Sequence, residues 1–245
     1  MYQCVLGFYV DQSEGVILAD DMGLGKTLQS IALIYVLSKQ GPQNKPVLKR
    51  TLILTNNSLV DNWKKEFSKW LGEERLKVMV AKGQSGVSEY LKTVKTKTQV
   101  DVVIMSYETF VKQSNEFEKH NSEFDLLVCD EGHRLRNDKK QVTAIHEVVK
   151  TSRRIILTGT PFQNNYEEFF FLTQFVNPNA FGKMSYFKRV FEDPIKRSKD
   201  KNATSEEKLL GDAACDELQR RLGKFCLRRT NDILASYLPP KSKFK

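Results

Sequence analysis

The stretch Ile17-Leu18-Ala19-Asp20-Asp21-Met22-Gly23-Leu24-Gly25-Lys26-Thr27-Leu28, "ILADDMGLGKTL", ends as a phosphate loop but does not begin as one. The general pattern G-x-x-x-x-G-K-[ST] asks for glycine at position 20, and this chain has Asp20. The surroundings supply everything else. A short apolar run, Gly15–Ala19, reads as a buried strand, and the segment Lys26–Lys39 carries Leu28, Ile31, Ala32, Leu33, Ile34, Val36 and Leu37 in a helical pattern. Strand, tight loop and helix start, in that order, turn backbone N–H groups toward an anion. Gly23 and Gly25 let the backbone approach phosphate oxygens, Lys26 brings charge to the β and γ phosphates, and Thr27 offers a hydroxyl to Mg²⁺. The loop alone also admits a plainer reading, a glycine-containing helix start with a solvent-facing lysine.

Working outward, β-rich apolar runs recur at Thr51–Thr55, Lys77–Ala81, Asp101–Met105, Asp125–Cys129 and Arg154–Thr158. A second helical pattern, Ser58–Trp70, places Leu59, Trp63, Phe67 and Trp70 on one face. Strand and helix in alternation predict an α/β fold with a mainly parallel, doubly wound sheet. Beyond Pro161 the rhythm turns helical, at Tyr166–Phe175, Ser185–Phe191 and Ser205–Phe225, with breaks expected at Pro178, Pro194 and the polar run 196–205. Phe169, Phe170, Phe171 and Phe175 suit a helical core better than a base-stacking platform.

The segment "FDLLVCDEGHRLRN" decides more than the loop does. Asp130 and Glu131 follow directly on the strand pattern Asp125–Cys129, so the pair would face the crevice at the strands' C-terminal ends, beside the loop. There Asp130 would hold a Mg²⁺ shell through water, while Glu131 orients an attacking water and accepts its proton.

Composition bounds the partners. With 245 residues, 40% hydrophobic and 28% charged, the chain can bury one substantial core, with or without a smaller appendage. No apolar run approaches the roughly 20 residues that span a bilayer and the start lacks a signal-peptide pattern, so a soluble intracellular protein with no membrane partner is expected. Cys4, Cys129, Cys215 and Cys226 are scattered, with no C-x-x-C pair, and read as reduced, partly buried thiols. The net charge is +9, and +7 of it falls in residues 183–245, where 16 Lys and Arg face 9 Asp and Glu. Such a segment suits a polyanion such as DNA, and equally a solvated helical face.

Taken with "LTGTPFQN", Leu157 to Asn164, these segments resemble helicase-like superfamily two, and within it the Swi/Snf family of double-stranded DNA translocases, whose loop runs L-A-D-E-M-G-L-G-K-T. On this resemblance Asp20 belongs to the branch's own loop. The match extends through "TLILTNNSLVDNWKKEF", "IMSYE" and "LRRTNDILASYLPPK". The segments "WKKEFSKWLG", "CDEGHRLRN", "FFFLTQFVNP" and "ASYLPPK" are most similar to the homologous-recombination branch, the Rad fifty-four group and its B-type members in particular, although chromatin remodellers share the core motifs. "TGTP" disfavours an RNA helicase, which commonly has serine-alanine-threonine there.

The resemblance implies a RecA-like ATP-binding lobe over residues 1–163, a helical subdomain over 164–236, and the start of a linker over 237–245. It implies ATP and Mg as cofactors, with ATP bound by the loop from Asp20, Asp21, Met22, Gly23, Leu24, Gly25, Lys26 and Thr27 to Leu28. Metal falls to Thr27 and Asp130, and catalysis to Lys26 and Glu131. The DEGH box is Asp130, Glu131, Gly132 and His133. Coupling to the lobe interface is assigned to His133, Thr158, Gly159, Thr160 and Gln163. Thr55, Ser58, Asn62, Ser106 and Tyr107 are the implied contacts to duplex DNA, made without reading sequence. The departures include Asn56, where the family often has Pro, which removes a rigid φ from a DNA-contacting loop. In relatives an adenine-recognising glutamine motif precedes the segment matching Tyr2-Gln3-Cys4, and a second RecA-like lobe with catalytic arginines follows the point matching Lys245. Partners would then be duplex DNA and a RecA-like recombinase filament or chromatin, in the nucleus. Arg228 and Arg229 could face DNA or the second lobe.

Overall fold

The computed structural model of the protein describes residues 1–8, 14–120, 123–137, 139–159, 166–178 and 180–234. Among the described residues seven strands, β1 (Val16–Leu18), β2 (Thr51–Thr55), β3 (Val78–Val80), β4 (Val102–Ser106), β5 (Leu126–Asp130), β6 (Arg154–Leu157) and β7 (Cys226–Leu227), form one sheet in the order β3-β4-β2-β5-β6-β1-β7. Every pairing is parallel.

All residues of β1, β2, β4 and β6 are buried, as expected of strands covered by helices on both faces. Alternation then sorts them. Ile17, Leu52, Leu54, Val103, Met105, Leu127, Cys129 and Ile156 join one core. Val16, Leu18, Ile53, Val102, Ile104, Leu126, Val128, Ile155 and Leu157 join the other. Trp63 and Phe67, one turn apart on helix Val60–Leu71, close the second core beside Ile53. Gly72, at φ 71, ends that helix in a conformation few side chains tolerate.

The helical region packs onto the first core. Phe181 meets Phe187, Phe191 and Phe225 at ring-centroid distances of 5.6, 5.7 and 6.3 Å, and Phe169 and Phe175 are buried with them. The buried Asn177 amide pins this region to the start of β1, accepting from Gly15 N at 3.0 Å and donating to Gly15 O at 3.1 Å.

Two expectations are corrected. Pro194 does not break the chain: residues 184–187 are α-helical, 188–192 π-helical, and Asp193–Ser198 helical again, so the run continues through Pro194, with the π turn directly before it changing the hydrogen-bond ladder where the ring removes a donor. The last long helix is Ser205–Leu222, opened by a capping box between Thr204 and Glu207, and after it the chain re-enters the sheet as β7. Two strand residues show no period, so sequence pattern could not reveal them.

All four cysteines are free. No helix among the described residues is long and apolar enough to cross a membrane.

Candidate functional site: the phosphate loop and the DEGH box

β1 delivers the chain to the loop, and Gly25 opens the helix Lys26–Lys39 from the left-handed region, at φ 74 and ψ 32. Gly23 likewise sits at φ 86. A Cβ at either glycine would meet nothing within 4 Å, so glycine is required there by conformation and not by crowding. Among the described residues no side chain caps the helix, which leaves its first N–H groups directed into the loop. Lys26 Nζ lies inside the loop and donates to Asp20 O at 2.7 Å and Asp21 O at 3.0 Å. Gly159 approaches from the end of β6: a Cβ there would stand 3.0 Å from Met22 Cγ and 3.6 Å from Lys26 Nζ. Thr158, buried, donates its N–H to Leu18 O at 3.1 Å, which holds the 158–159 turn against β1. Thr160 and Gln163 lie outside the described residues.

Across the loop, an open cavity of about 410 Å³ is bounded by Gly23, Lys26, Thr27, Asn62, Asp130 and Glu131 among others. The two segments singled out in the sequence therefore face one space. Asp130 closes β5 and is held by three donors. Its Oδ2 accepts from Thr55 Oγ1 at 2.9 Å and Trp63 Nε1 at 2.8 Å, and its Oδ1 accepts from Glu131 N at 3.1 Å. Three donors fix the direction of the carboxylate, as a metal-positioning acid needs. Glu131 has φ 49, an uncommon conformation for a residue with a side chain. Gly132 packs so closely on β6 that a Cβ would come within 2.6 Å of the Ile156 side chain. His133 Nδ1 lies 3.4 Å from Glu131 Oε2.

The site's chemistry fits a magnesium-bound nucleotide. The uncapped helix start and Lys26 would hold the phosphates, while Thr27 and Asp130 stand where a divalent cation would be met from two sides.

The expected DNA contacts divide. Ser58 and Asn62 are exposed at the C-terminal edge of β2. Thr55, Ser106 and Tyr107 are buried with internal partners. Thr55 serves Asp130; Ser106 caps the following helix by accepting from Thr109 N at 3.1 Å; Tyr107 donates its hydroxyl to Asp130 O at 2.9 Å. Thr55 and Tyr107 therefore turn their side chains to the DEGH box, while Ser106 lies at the edge of an open cavity that Asn57, Gln84 and Lys112 also line. Burial and the neighbouring Cys129 and Asp130 hold the Tyr107 hydroxyl well above its ordinary pKa. Burial pushes the Cys129 thiol up to about 12, which leaves it an inert neighbour of the site.

Sequence reasoning missed Trp63 as a partner of Asp130, because its helical spacing already accounted for it as core. It also missed Arg134. That guanidinium donates to Asn56 Oδ1 and, at 2.9 Å, to Glu108 Oε1, so Asn56 gains an anchor where a rigid φ is absent. Arg229, left without a role by the sequence, pairs with Asp20.

The chain matches the model of the SNF2-related domain over residues 3–245. It is 47% identical over 242 residues to "DNA repair and recombination protein RAD54B" of Homo sapiens, covering 98% of this chain and 26% of that protein. It is 44% identical over 247 residues to "DNA repair and recombination protein RAD54" of Oryza sativa subsp. japonica, covering 98% and 25%. The chain thus spans about a quarter of the length of these relatives. Among solved structures it resembles "Sulfolobus solfataricus SWI2/SNF2 ATPase core in complex with dsDNA", with a TM-score of 0.68 and 29% identity over 94% of this chain and 42% of that one. The family model covers nearly every residue, and the fold matches the solved ATPase core: the chain belongs to the SNF2-related family.

Proposed function

We propose that this chain is the first motor lobe of an ATP-dependent double-stranded DNA translocase that acts in homologous recombination and double-strand break repair. The observation that carries this reading is the cavity in which Lys26 and Thr27 face Asp130 and Glu131, with Asp130 fixed by Thr55 and Trp63. Magnesium supplies charge neutralisation to the transferring phosphoryl group, and positioning and charge are most of what such a transfer demands. Lys26 places its ammonium on the β and γ phosphates. Asp130, its direction set by three donors, would hold the magnesium together with Thr27. Glu131 orients the attacking water and takes its proton, with His133 beside it to relay the state of the site toward a second lobe.

The recombination role rests on the relatives' names and on 44–47% identity to RAD54 and RAD54B proteins. Duplex DNA as partner is supported by the Sulfolobus complex with dsDNA and by the exposed Ser58 and Asn62. We place the protein in the nucleus, beside a RecA-like recombinase filament or chromatin, with residues 1–163 as lobe, 164–236 as helical subdomain and 237–245 as linker. A chromatin-remodelling ATPase is the second reading, favoured by 40% identity to "Protein CHROMATIN REMODELING 25" of Arabidopsis thaliana.

The test is phosphate release from residues 1–245 and from a longer chain with the flanking segments of the gene, each with and without duplex DNA. DNA-stimulated turnover only in the longer chain supports a two-lobed motor, because an arginine supplied across such a cleft contributes about 10³ to 10⁵ in rate. Full DNA-dependent turnover by the 245 residues alone, or none in either chain, contradicts it.

A further inference from the structure

Asp20 stands where a general phosphate loop has glycine, and its carboxylate is completely buried. An unpaired buried charge is expensive, so the partner matters. That partner lies 209 residues away. Oδ1 of Asp20 accepts from Arg229 N at 2.9 Å and Nε at 3.1 Å; Oδ2 accepts from Nε at 3.0 Å and from Nη2. The same guanidinium donates to Gln29 Oε1 at 2.6 Å, while Gln29 Nε2 donates to Leu24 O at 3.1 Å, inside the loop.

The backbone adds a second tie. Ile17, Ala19 and Asp21 donate in turn to the carbonyls of Phe225, Leu227 and Arg229 at 2.8, 2.8 and 3.0 Å, so the β1–β7 ladder continues past both strands into the loop. Asn231 N then donates to Asp21 Oδ2 at 3.1 Å. The first half of the loop is therefore the edge of a sheet, with residues 225–231 as its neighbour. Asp20 is absent from the positions with positive φ, so nothing in its conformation asks for glycine. Glycine there would delete the acceptor that Arg229 grips.

We propose that Arg229 is a positioning residue of the phosphate loop, which neutralises the buried Asp20 carboxylate and so keeps the Lys26 ammonium available to an incoming polyphosphate. Lys26 is the cation placed to compete. Its ammonium already bonds the carbonyls of Asp20 and Asp21, on a flexible four-carbon stem. With Arg229 removed, the carboxylate keeps the neutral Gln29 amide, whose Nε2 donates to Oδ2 at 3.4 Å, but loses its counter-charge and becomes an uncompensated anion inside an anion-binding loop, drawing Lys26 and repelling phosphate. This rests on the nucleotide-binding reading and adds to it a role for a residue outside both motifs.

The test is a charge-rescue cycle on the 245-residue chain, read as affinity for fluorescent Mg-ATP and Mg-AMP analogues, with circular dichroism and melting temperature alongside. Arg229→Gln should weaken ATP binding by about tenfold, the effect of one uncompensated charge a few ångströms from the phosphates, and AMP binding much less. Adding Asp20→Asn to Arg229→Gln should restore most of the ATP affinity, because it removes the charge that the arginine was neutralising. Arg229→Lys should fall between parent and Arg229→Gln, keeping charge and losing the fork. A structural brace alone would weaken both nucleotides equally and gain nothing from Asp20→Asn, which would overturn the proposal. So would parental affinity in Arg229→Gln. Lys26→Ala in the same assay separates the two readings. If it binds as the parent does, the nucleotide reading fails and this proposal with it; if it loses affinity while Arg229→Gln does not, only the proposal fails.

Discussion

Replacing Thr55 by valine tests whether Asp130 is a metal-positioning acid or merely a satisfied core carboxylate. Thr55 closes β2, is buried, and donates to Asp130 Oδ2 at 2.9 Å, on the oxygen that Trp63 Nε1 also reaches at 2.8 Å. Valine keeps the volume and β-branching and deletes only the donor. A hydrogen bond to a charged group contributes about 1.5–3 kcal/mol; with Trp63 still on the same oxygen, the lower end applies. For a chain of this size each kcal/mol moves the melting point by about 2–4 °C, so a fall of roughly 3–6 °C is expected. If Asp130 organises a metal, the larger effect lies elsewhere, because losing one outer partner typically costs about 10–100-fold in metal affinity or activity. The assay is a Mg²⁺ titration of fluorescent-nucleotide binding, with metal-free binding as the control. The midpoint should move to at least about tenfold higher Mg²⁺, while metal-free binding stays near parental. Trp63→Phe should move it the same way and melt lower still, because the smaller ring leaves a void among Phe67, Ile53 and their neighbours. A lowered melting point with an unchanged Mg²⁺ midpoint in both variants would refute the reasoning and leave Asp130 a structural residue.

Glu131→Gln in the longer chain should retain nucleotide and lose nearly all hydrolysis, since the amide keeps the shape without the base; normal turnover would remove Glu131 from that role. DNA binding should weaken steadily as NaCl rises and ignore sequence, so a strong preference between unrelated duplexes of equal length would contradict phosphate contacts. Burial holds the Tyr90 and Tyr107 hydroxyls above the ordinary tyrosine range. A folded pKa raised above the unfolded one contributes stability that is complete below about pH 10 and lost as the pH climbs through the folded values. Melting temperature should therefore hold up to about pH 10 and fall beyond it, with tyrosinate absorbance rising together with unfolding. Ionisation of both tyrosines in the intact fold near pH 10 would contradict this.

The strands longest in apolar residues were legible because burial on both faces leaves continuous runs, as in Thr51-Leu52-Ile53-Leu54-Thr55. The loop and the DEGH box were legible because few conformations let Gly25, Lys26, Asp130 and Glu131 face one cavity, and the residue types restrict them further. Direction was harder. Thr55 reads as a polar strand end open to solvent, yet it lies two residues from Ile53 and so on the sheet face covered by Trp63 and Phe67. That alternation was in the sequence; the covering helix was not. Helices Gly83–Lys95 and Lys139–Val148 have long polar faces that mask a legible pattern: Val87, Tyr90, Leu91 and Val94 fall at helical spacing in the first, and Val142, Ile145 and Val148 recur along one side of the second. Arg229 could not be placed at all, since its partner lies 209 residues away and the strand between them is two residues long.

The inward turn of the expected DNA-contacting residues bears on how a duplex could influence the acids. Thr55 and Trp63 bracket the segment that exposes Ser58 and Asn62, and both donate to one oxygen of Asp130. Tyr107 begins the helix after β4 and reaches the carbonyl of the same residue. Arg134, two residues beyond Gly132, binds Asn56 just after β2 and Glu108 in the first turn of the helix after β4. A phosphate seated on Ser58 or Asn62 would press on a helix whose next residue, Trp63, is bonded to Asp130 through a rigid indole. A movement of that helix by a fraction of an ångström must either carry Asp130 along or stretch a 2.8 Å bond, because close-packed cores transmit displacement instead of absorbing it. On the proposal that a duplex seats on Ser58 and Asn62, the arrangement needs no separate lever between duplex and Asp130: the residues that frame the exposed loop already hold that carboxylate in place.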